Sequence, residues 1–310
     1  MSDSLFFETK DLSKNFRQVQ KNSFIEALSQ INIQVPKGSV YGLVGSNGAG
    51  KTTLLKILAG VYRQDQGKAL VEQQEIFENL IAKAKTVFIP DTLYFFSQYT
   101  VRDIAGFYQK VYPSWSQERY QKLREAFELD EKMKIQQMSK GMQRQAAFWL
   151  AMSAAPEGLI LDEPLDGLDP VMRKKVKNLI IQDVASRSMT VLISSHNLRE
   201  LEDLCDMVGI LHQGRLILEK ELDDLKSDTH KIQVAFSQEP PEDLFREQSV
   251  LYRETRGIVR LYIIRGKQEE IVQELAKHKP LLVDELPLTL EEIFIYEMGG
   301  LDYAIENIFV

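Results

Sequence analysis

The sequence predicts an α/β fold: a mainly parallel, helix-covered sheet, interrupted by a helical insert and followed by a small α+β module. Three observations predict it. Short apolar runs at 39–44, 86–89, 158–161 and 190–194 read as buried strands, and helical patterns lie between them. From about residue 91 to 155 strand patterns vanish and apolar residues take helical spacing. Beyond roughly residue 225 alternating segments return with a different texture, so the chain divides into residues 1–222 and 223–310.

Each element has its own signal. Residues 5–8 read as a strand, and Ile31, Ile33 and Val35 alternate with period two, as a half-buried antiparallel strand requires. Polar residues 18–22 read as a hairpin loop, and Pro36-Lys37-Gly38 as a stop. A helix over 54–59 follows the strand at 39–44, then Gly67 and a short strand at 69–71. In the insert, 101–112 is helical and Pro113-Ser114-Trp115-Ser116 restarts the chain into a helix over 117–127. Helices are expected over 145–153 and 171–186 and from Leu198. The last module carries strand signals at 231–236, 258–264 and 281–283, a break at 238–241, a helix over 268–277 and an acidic segment at 290–297.

Composition narrows the function classes. With 44% hydrophobic and 27% charged residues in 310, the chain is long enough for two folded domains. A formal net charge of −7 argues against a broad nucleic-acid-binding surface, and no nucleic-acid partner is expected. Four histidines and one cysteine leave no disulfide or zinc cluster to build, and Cys205 reads as a half-buried helix residue. The N-terminus lacks the basic start and apolar core of a signal peptide. The longest weakly polar stretch, 146–155, is about half of what a bilayer span needs. The expected location is cytoplasmic, with any membrane role supplied through a partner.

Residues 45–53 carry the sharpest chemistry. Gly45, Gly50, Lys51 and Thr52 fill the fixed positions of G-x-x-x-x-G-K-[ST], with Ser46, Asn47, Gly48 and Ala49 between them and Thr53 after. A strand precedes this loop and a helix follows it, the context the pattern requires. Its backbone N–H groups and the positive helix end suit phosphate oxygens. Lys51 adds a point charge for the β- and γ-phosphates, and the Thr52 hydroxyl is a Mg²⁺ ligand candidate. A nucleoside triphosphate is the expected ligand.

Three further groups belong with this loop. The apolar run ending in Asp162-Glu163-Pro164 puts Asp162 at the carboxyl edge of the sheet, where ligands sit in such folds. Asp162 is expected to hold Mg²⁺ through water, and Glu163 to polarise an attacking water. His196, just past the strand ending in Ser194-Ser195, is placed for a γ-phosphate contact, while His212, His230 and His278 read as structural. Ser139-Lys140-Gly141-Met142 opens a helix, and a Ser hydroxyl with a Gly amide at a positive helix end forms a second phosphate site.

Taken in order, these motifs closely resemble the ATP-binding-cassette (ABC) ATPases over residues 5–222. The resemblance implies a P-loop NTPase fold with a RecA-like core sheet, an antiparallel β subdomain and a helical insert. It implies ATP and Mg²⁺ as cofactors, with Lys51, Glu163 and His196 catalytic. Two cassettes of that family sandwich two ATP molecules head to tail. Ser139, Lys140, Gly141 and Met142 would therefore complete the site of a partner cassette, either a copy of this chain or a paralogue. Asp169 would lie near the junction, and Phe16 matches the aromatic that stacks on adenine. Three departures stand out: Lys140 and Met142 replace two signature residues, Asp91 replaces a glutamine and stays a metal-site candidate, and residues 17–24 form a long polar segment.

The resemblance extends to bacterial exporter-type cassettes of the bacitracin-resistance and related groups. It implies a separate integral membrane permease, with this chain peripheral at the inner face of the cell membrane. The aromatic cluster Leu93, Tyr94, Phe95 and Phe96 is the expected docking surface. Two other function classes stay open: a soluble ATP-driven clamp on a non-transport partner, and a regulatory subunit that hydrolyses slowly.

Overall fold

The computed structural model describes residues 4–18, 23–227, 229–237, 244–245, 248–289 and 291–293. The expected break at 238–241 lies outside them, as do all but Gln18 of the loop at 18–22 and all but 291–293 of the acidic segment. The chain packs as two units: Met1–Asn197 with Leu204–Glu219, and Leu198–Asp203 with Lys220–Val310.

The first unit opens with three strands, β1 (Leu5–Gln18), β2 (Ser23–Ile31) and β3 (Gln34–Pro36). β1 pairs antiparallel with β2 and β3, which places Phe16 opposite Ile25. Ile31, Ile33 and Val35 are all fully buried, as their alternation predicts. They nonetheless do not share one strand: Ile31 ends β2, Val35 lies in β3, and Ile33 sits between the two. The Thr9 hydroxyl donates to Ile31 O at 2.8 Å and accepts from Ile33 N–H at 3.0 Å, so a side chain replaces ladder bonds there.

The core sheet begins with β4 (Val40–Val44), followed by α1 (Lys51–Leu58). Next, β5 (Gln66–Val71) returns to pair with β1, and β6 (Gln74–Glu75) pairs with β5. After α2 (Leu80–Ala84) the core resumes with β7 (Thr86–Ile89). The insert supplies α3 (Val101–Val111), α4 (Gln117–Phe127) and α5 (Lys140–Ser153). The chain then re-enters the sheet through β8 (Gly158–Asp162), α6 (Pro170–Arg187) and β9 (Thr190–Ser195). A short α7 (Leu198–Leu201) belongs to the second unit, and β10 (Met207–His212) and β11 (Arg215–Glu221) finish the core sheet, in order β11-β10-β4-β9-β8-β7. The pairs β10·β4, β4·β9, β8·β9 and β7·β8 are parallel. Every residue of β4, β8 and β9 is buried, which is why they read as unbroken apolar runs. The strand patterns of β10 and β11 escape a sequence reading, because Gly209 interrupts the first and four charged side chains dilute the second.

Within the insert, α5 starts at Lys140, five residues before the expected helix, because Ser139 Oγ accepts the Met142 N–H at 3.2 Å and caps it there. Trp149 is fully buried, stacks on Tyr120 with ring centroids 4.7 Å apart, and donates its indole N–H to Tyr120 O at 2.8 Å. That pair locks α5 to α4. Cys205 is not helical: it lies in the loop before β10, fully packed, and burial together with Asp206 pushes its thiol pKa up.

The second unit adds α8 (Leu222–Ser227), β12 (Thr229–Ala235), β13 (Ser249–Arg256), β14 (Val259–Arg265), α9 (Gln268–Lys277) and β15 (Leu282–Leu286). Its antiparallel sheet runs β13-β14-β12-β15. Ile271 and Leu275 of α9 share a core with Ile232, Val234, Tyr262 and Ile264. The strand pattern of β13 is masked by its charge: an edge strand with little burial keeps polar residues. Among the described residues no helix is long and apolar enough to cross a membrane.

Candidate functional site

The loop between β4 and α1 closes around a cavity of about 370 Å³ lined by residues 46–53, Asp91 and Glu163. Backbone sterics dictate two of its glycines. A Cβ on Gly45 would stand 2.2 Å from Leu211 O. Gly50 caps α1 at φ +110°, in the left-handed region, and a Cβ there would stand 2.6 Å from Ala27 O. No side chain caps α1, so its first N–H groups remain for a ligand. Thr52 is exposed toward the solvent side of this turn.

Lys51 is almost wholly buried, and its ammonium donates to Gly45 O at 2.5 Å and to Ser46 O at 3.4 Å. Its remaining partner is a carboxylate: Lys51 Nζ lies 3.2 Å from Glu163 Oε1. Glu163 Oε2 in turn lies 2.9 Å from His196 Nδ1 and accepts the His196 N–H at 3.2 Å. Glu163 itself sits at φ +45°, an uncommon backbone for a non-glycine residue, held by its N–H to Ser194 Oγ at 3.1 Å. The Ser194 hydroxyl donates to Asp162 Oδ1 at 2.7 Å. Asp162 is fully buried, and its Oδ2 has no hydrogen-bond partner. A buried carboxylate oxygen left open at a strand's carboxyl edge suits a hydrated cation, so this donor set fits Mg²⁺.

The structure therefore gathers Lys51, Thr52, Asp162, Glu163 and His196 around one loop and keeps others away from it. Phe16 does not line the cavity. Its ring meets Tyr62 edge-on at 5.7 Å, the Lys14 ammonium lies 5.5 Å from its centroid, and its cross-strand neighbour Ile25 forms the apolar wall instead. Ser139 to Met142 also lie outside it; Lys140 lines a second cavity of about 380 Å³ with Asp91, Arg144 and Asp166. Asp169 caps α6 by accepting the Met172 N–H at 3.0 Å. Asp91 lines both cavities, with its carboxylate 3.5 Å from Arg144 Nη2. Tyr94 and Phe96 are exposed, together with Tyr99 and Phe107 nearby.

Some residues of this region carry no sequence signal. Ser194 looks like the end of an ordinary strand, and its link to Asp162 exists only because β8 and β9 are neighbours. Ile25, Glu26, Ala27, Gln213 and Gly214 reach the cavity from β2 and the β10–β11 turn. Asp166 joins Glu163 and His196, with ligand atoms within 4.8 Å of one another.

Comparison with known proteins agrees with this geometry. Residues 28–166 match the family described as ABC transporter. The chain is 32% identical over 275 residues to the ABC transporter ATP-binding protein YtrB of Bacillus subtilis (strain 168), covering 89% of this chain and 94% of that protein. It is 30% identical to the bacitracin transport ATP-binding protein BcrA of Bacillus licheniformis, covering 96% and 98%. Among solved structures it resembles the ATP binding subunit of an ABC transporter, with a TM-score of 0.65, 26% identity and coverage of 71% and 92%. The chain accordingly belongs to the ABC transporter family, as an ATP-binding ATPase subunit of P-loop NTPase fold.

Proposed function

We propose that this subunit powers export of a drug, peptide or lipid-like substrate through a separate membrane permease, by closing as a dimer of cassettes on ATP. The pairing of Lys51 and Glu163 in one cavity, with His196 bonded to Glu163 and Asp162 tied to it through Ser194, and with the Ser139 turn outside the cavity, carries the reading. A hydrolytic site whose lining excludes the Ser139–Met142 turn suits completion by that turn of a second subunit. The relation to a protein named for bacitracin transport supports export, and the exposed aromatics Tyr94, Phe96, Tyr99 and Phe107 support a docking partner. The acidic chain supports no nucleic-acid role. The subunit would thus work peripherally at the inner face of the membrane, with residues 223–310 as an accessory module.

In this mechanism residues 45–53 wrap the phosphates, Ile25 offers an apolar wall to the base with Phe16 behind it as its cross-strand neighbour, and Lys51 holds the β- and γ-phosphates. Thr52 and Asp162 would hold Mg²⁺, with Asp91 at its rim; the ion neutralises phosphate charge. Glu163 takes a proton from the attacking water, oriented by His196 and by the bond from its own N–H to Ser194. In trans, Ser139, the Gly141 amide, Lys140 and Met142 close the far side of the γ-phosphate, with Asp169 at the junction. The test is assembly. Glu163→Gln protein with ATP and Mg²⁺ should elute as a dimer and pull down a membrane permease from the native host; a monomer throughout, with no membrane partner, overturns the proposal.

A further inference from the structure

Glu163, Asp166 and His196 each bring a metal-binding atom to one point, all three within 4.8 Å of one another. Two neighbouring strands and one tight turn produce that meeting. β8 and β9 pair with Asp162 opposite Ser194, so Glu163 and His196 emerge together at the carboxyl edge of the sheet. The chain then doubles back: Asp166 N–H donates to Glu163 O at 3.4 Å, and Leu168 N–H to Leu165 O at 3.3 Å. Leu165 and Leu168 are buried and anchor this turn, while Asp166 between them stays exposed. The packing of its neighbours thereby holds Asp166 beside the Glu163–His196 pair.

The charges at this point do not balance. Glu163 has the Lys51 ammonium at 3.2 Å, but among the described residues no lysine or arginine pairs with Asp166. Two carboxylates this close repel one another, and a cation between them turns that repulsion into attraction. The donor set selects the cation. Mg²⁺ takes hard oxygens in an octahedron and keeps its waters, which matches the Thr52 and Asp162 oxygens instead. An imidazole beside two carboxylates suits a borderline ion such as Zn²⁺, which binds N and O donors at about 2.0–2.2 Å. Donors on a tetrahedron of that size stand about 3.3 Å apart. Glu163 Oε2 and His196 Nδ1 are already 2.9 Å apart, so only the Asp166 oxygen has to close in. Asp166 and His196 are exposed, which leaves a path for entry and a fourth position for water.

We propose that Glu163, Asp166 and His196 form a second metal site that takes Zn²⁺, or a transition-metal ion like it, in the nucleotide-free protein. Coordination uses the carboxylate and the imidazole that hydrolysis needs, so metal occupancy and turnover exclude one another. That exclusion rests on the reading of Glu163 as general base; the binding of the metal does not.

Calorimetric titration of untagged, nucleotide-free protein with Zn²⁺ tests the site directly. The parent should bind one Zn²⁺, and Asp166→Asn and His196→Ala should each weaken that binding at least about tenfold. His278→Ala removes a histidine whose carboxylate neighbour, Glu274, lies 3.8 Å away, and should leave the affinity unchanged. No Zn²⁺ binding in the parent, equal affinity in Asp166→Asn, or loss of binding in His278→Ala overturns the proposal. In ATPase assays with Mg²⁺ in excess, Zn²⁺ should inhibit the parent. Asp166→Asn should need at least about tenfold more free Zn²⁺ for the same inhibition. Zn²⁺ that binds through these residues without inhibiting defeats the general-base reading of Glu163 instead, and leaves the metal site to the titration.

Discussion

The Lys51 ammonium lies 3.2 Å from Glu163 Oε1, so the cation meant for phosphate is already paired with the proposed general base. With Gly45 O and Ser46 O as its other acceptors, the ammonium has no donor to spare. A phosphate entering the loop must displace the Glu163 carboxylate, which frees the base as the substrate arrives. Glu163→Gln removes that competition and leaves Lys51 short of a counter-charge. Its monomer should bind ADP more tightly, by about fivefold or roughly 1 kcal/mol, while ATP turnover falls by a factor on the order of 10²–10⁴. Calorimetric titration and steady-state hydrolysis check the two halves separately; equal ADP affinity in both proteins sinks the competition.

The two constrained glycines separate shape from charge in the phosphate loop. Gly45→Ala forces a Cβ against Leu211 O, and Gly50→Ala adds a left-handed backbone to a clash with Ala27 O. Each should cost more than about 2 kcal/mol of stability and abolish ATP binding. Gly48→Ala, at φ +83° with open space around it, should cost only about 1 kcal/mol. Thermal melts of the three variants give the order, and a Gly48 variant as unstable as the other two contradicts it.

Asp162→Asn addresses the cation. The substitution keeps an oxygen for the Ser194 hydroxyl but replaces the open Oδ2 with a donor. Mg²⁺ should then strengthen ATP binding about 10- to 100-fold less than it does in the parent, at a cost of about 1–2 kcal/mol in stability. ATP titrations with and without Mg²⁺ measure it; an unaltered Mg²⁺ effect removes Asp162 from the metal site.

Acid stability follows from Glu72, whose carboxylate pairs with Lys37 at 2.6 Å and with Lys85. Hydrogen bonds from those two lysines lower its pKa from 4.5 in the folded state. Its contribution is therefore complete above about pH 4.5 and is lost as pH falls through the lower folded value. Glu72→Gln should lower stability at pH 7 by up to about 1 kcal/mol, since the pair is partly exposed, and the gap to the parent should close on acidification. Denaturant unfolding across pH 3–7 tests the sign; a gap that widens in acid reverses it.

Much of this architecture is legible in local pattern. The buried runs of β4, β8 and β9, the loop at residues 45–53 and the Ser139 cap all follow from neighbouring residues, because each depends on contacts a few positions apart. The strands β10, β11 and β13 are less legible, since pairing rather than composition makes them strands. Phe16 illustrates the same limit: its motif position is plain, yet Tyr62 and Ile25 decide what its ring meets.

By itself, then, the sequence determined which residues carry charge and hydroxyl groups to the carboxyl edge of a parallel sheet, because strand ends and glycine loops are local features. Only the tertiary structure decided their partners: Glu163 on Lys51 and His196, Ser194 on Asp162, and Arg144 on Asp91. Those pairings form between segments brought together when the sheet closes, and the hydrogen-bonding needs of buried charge select among them.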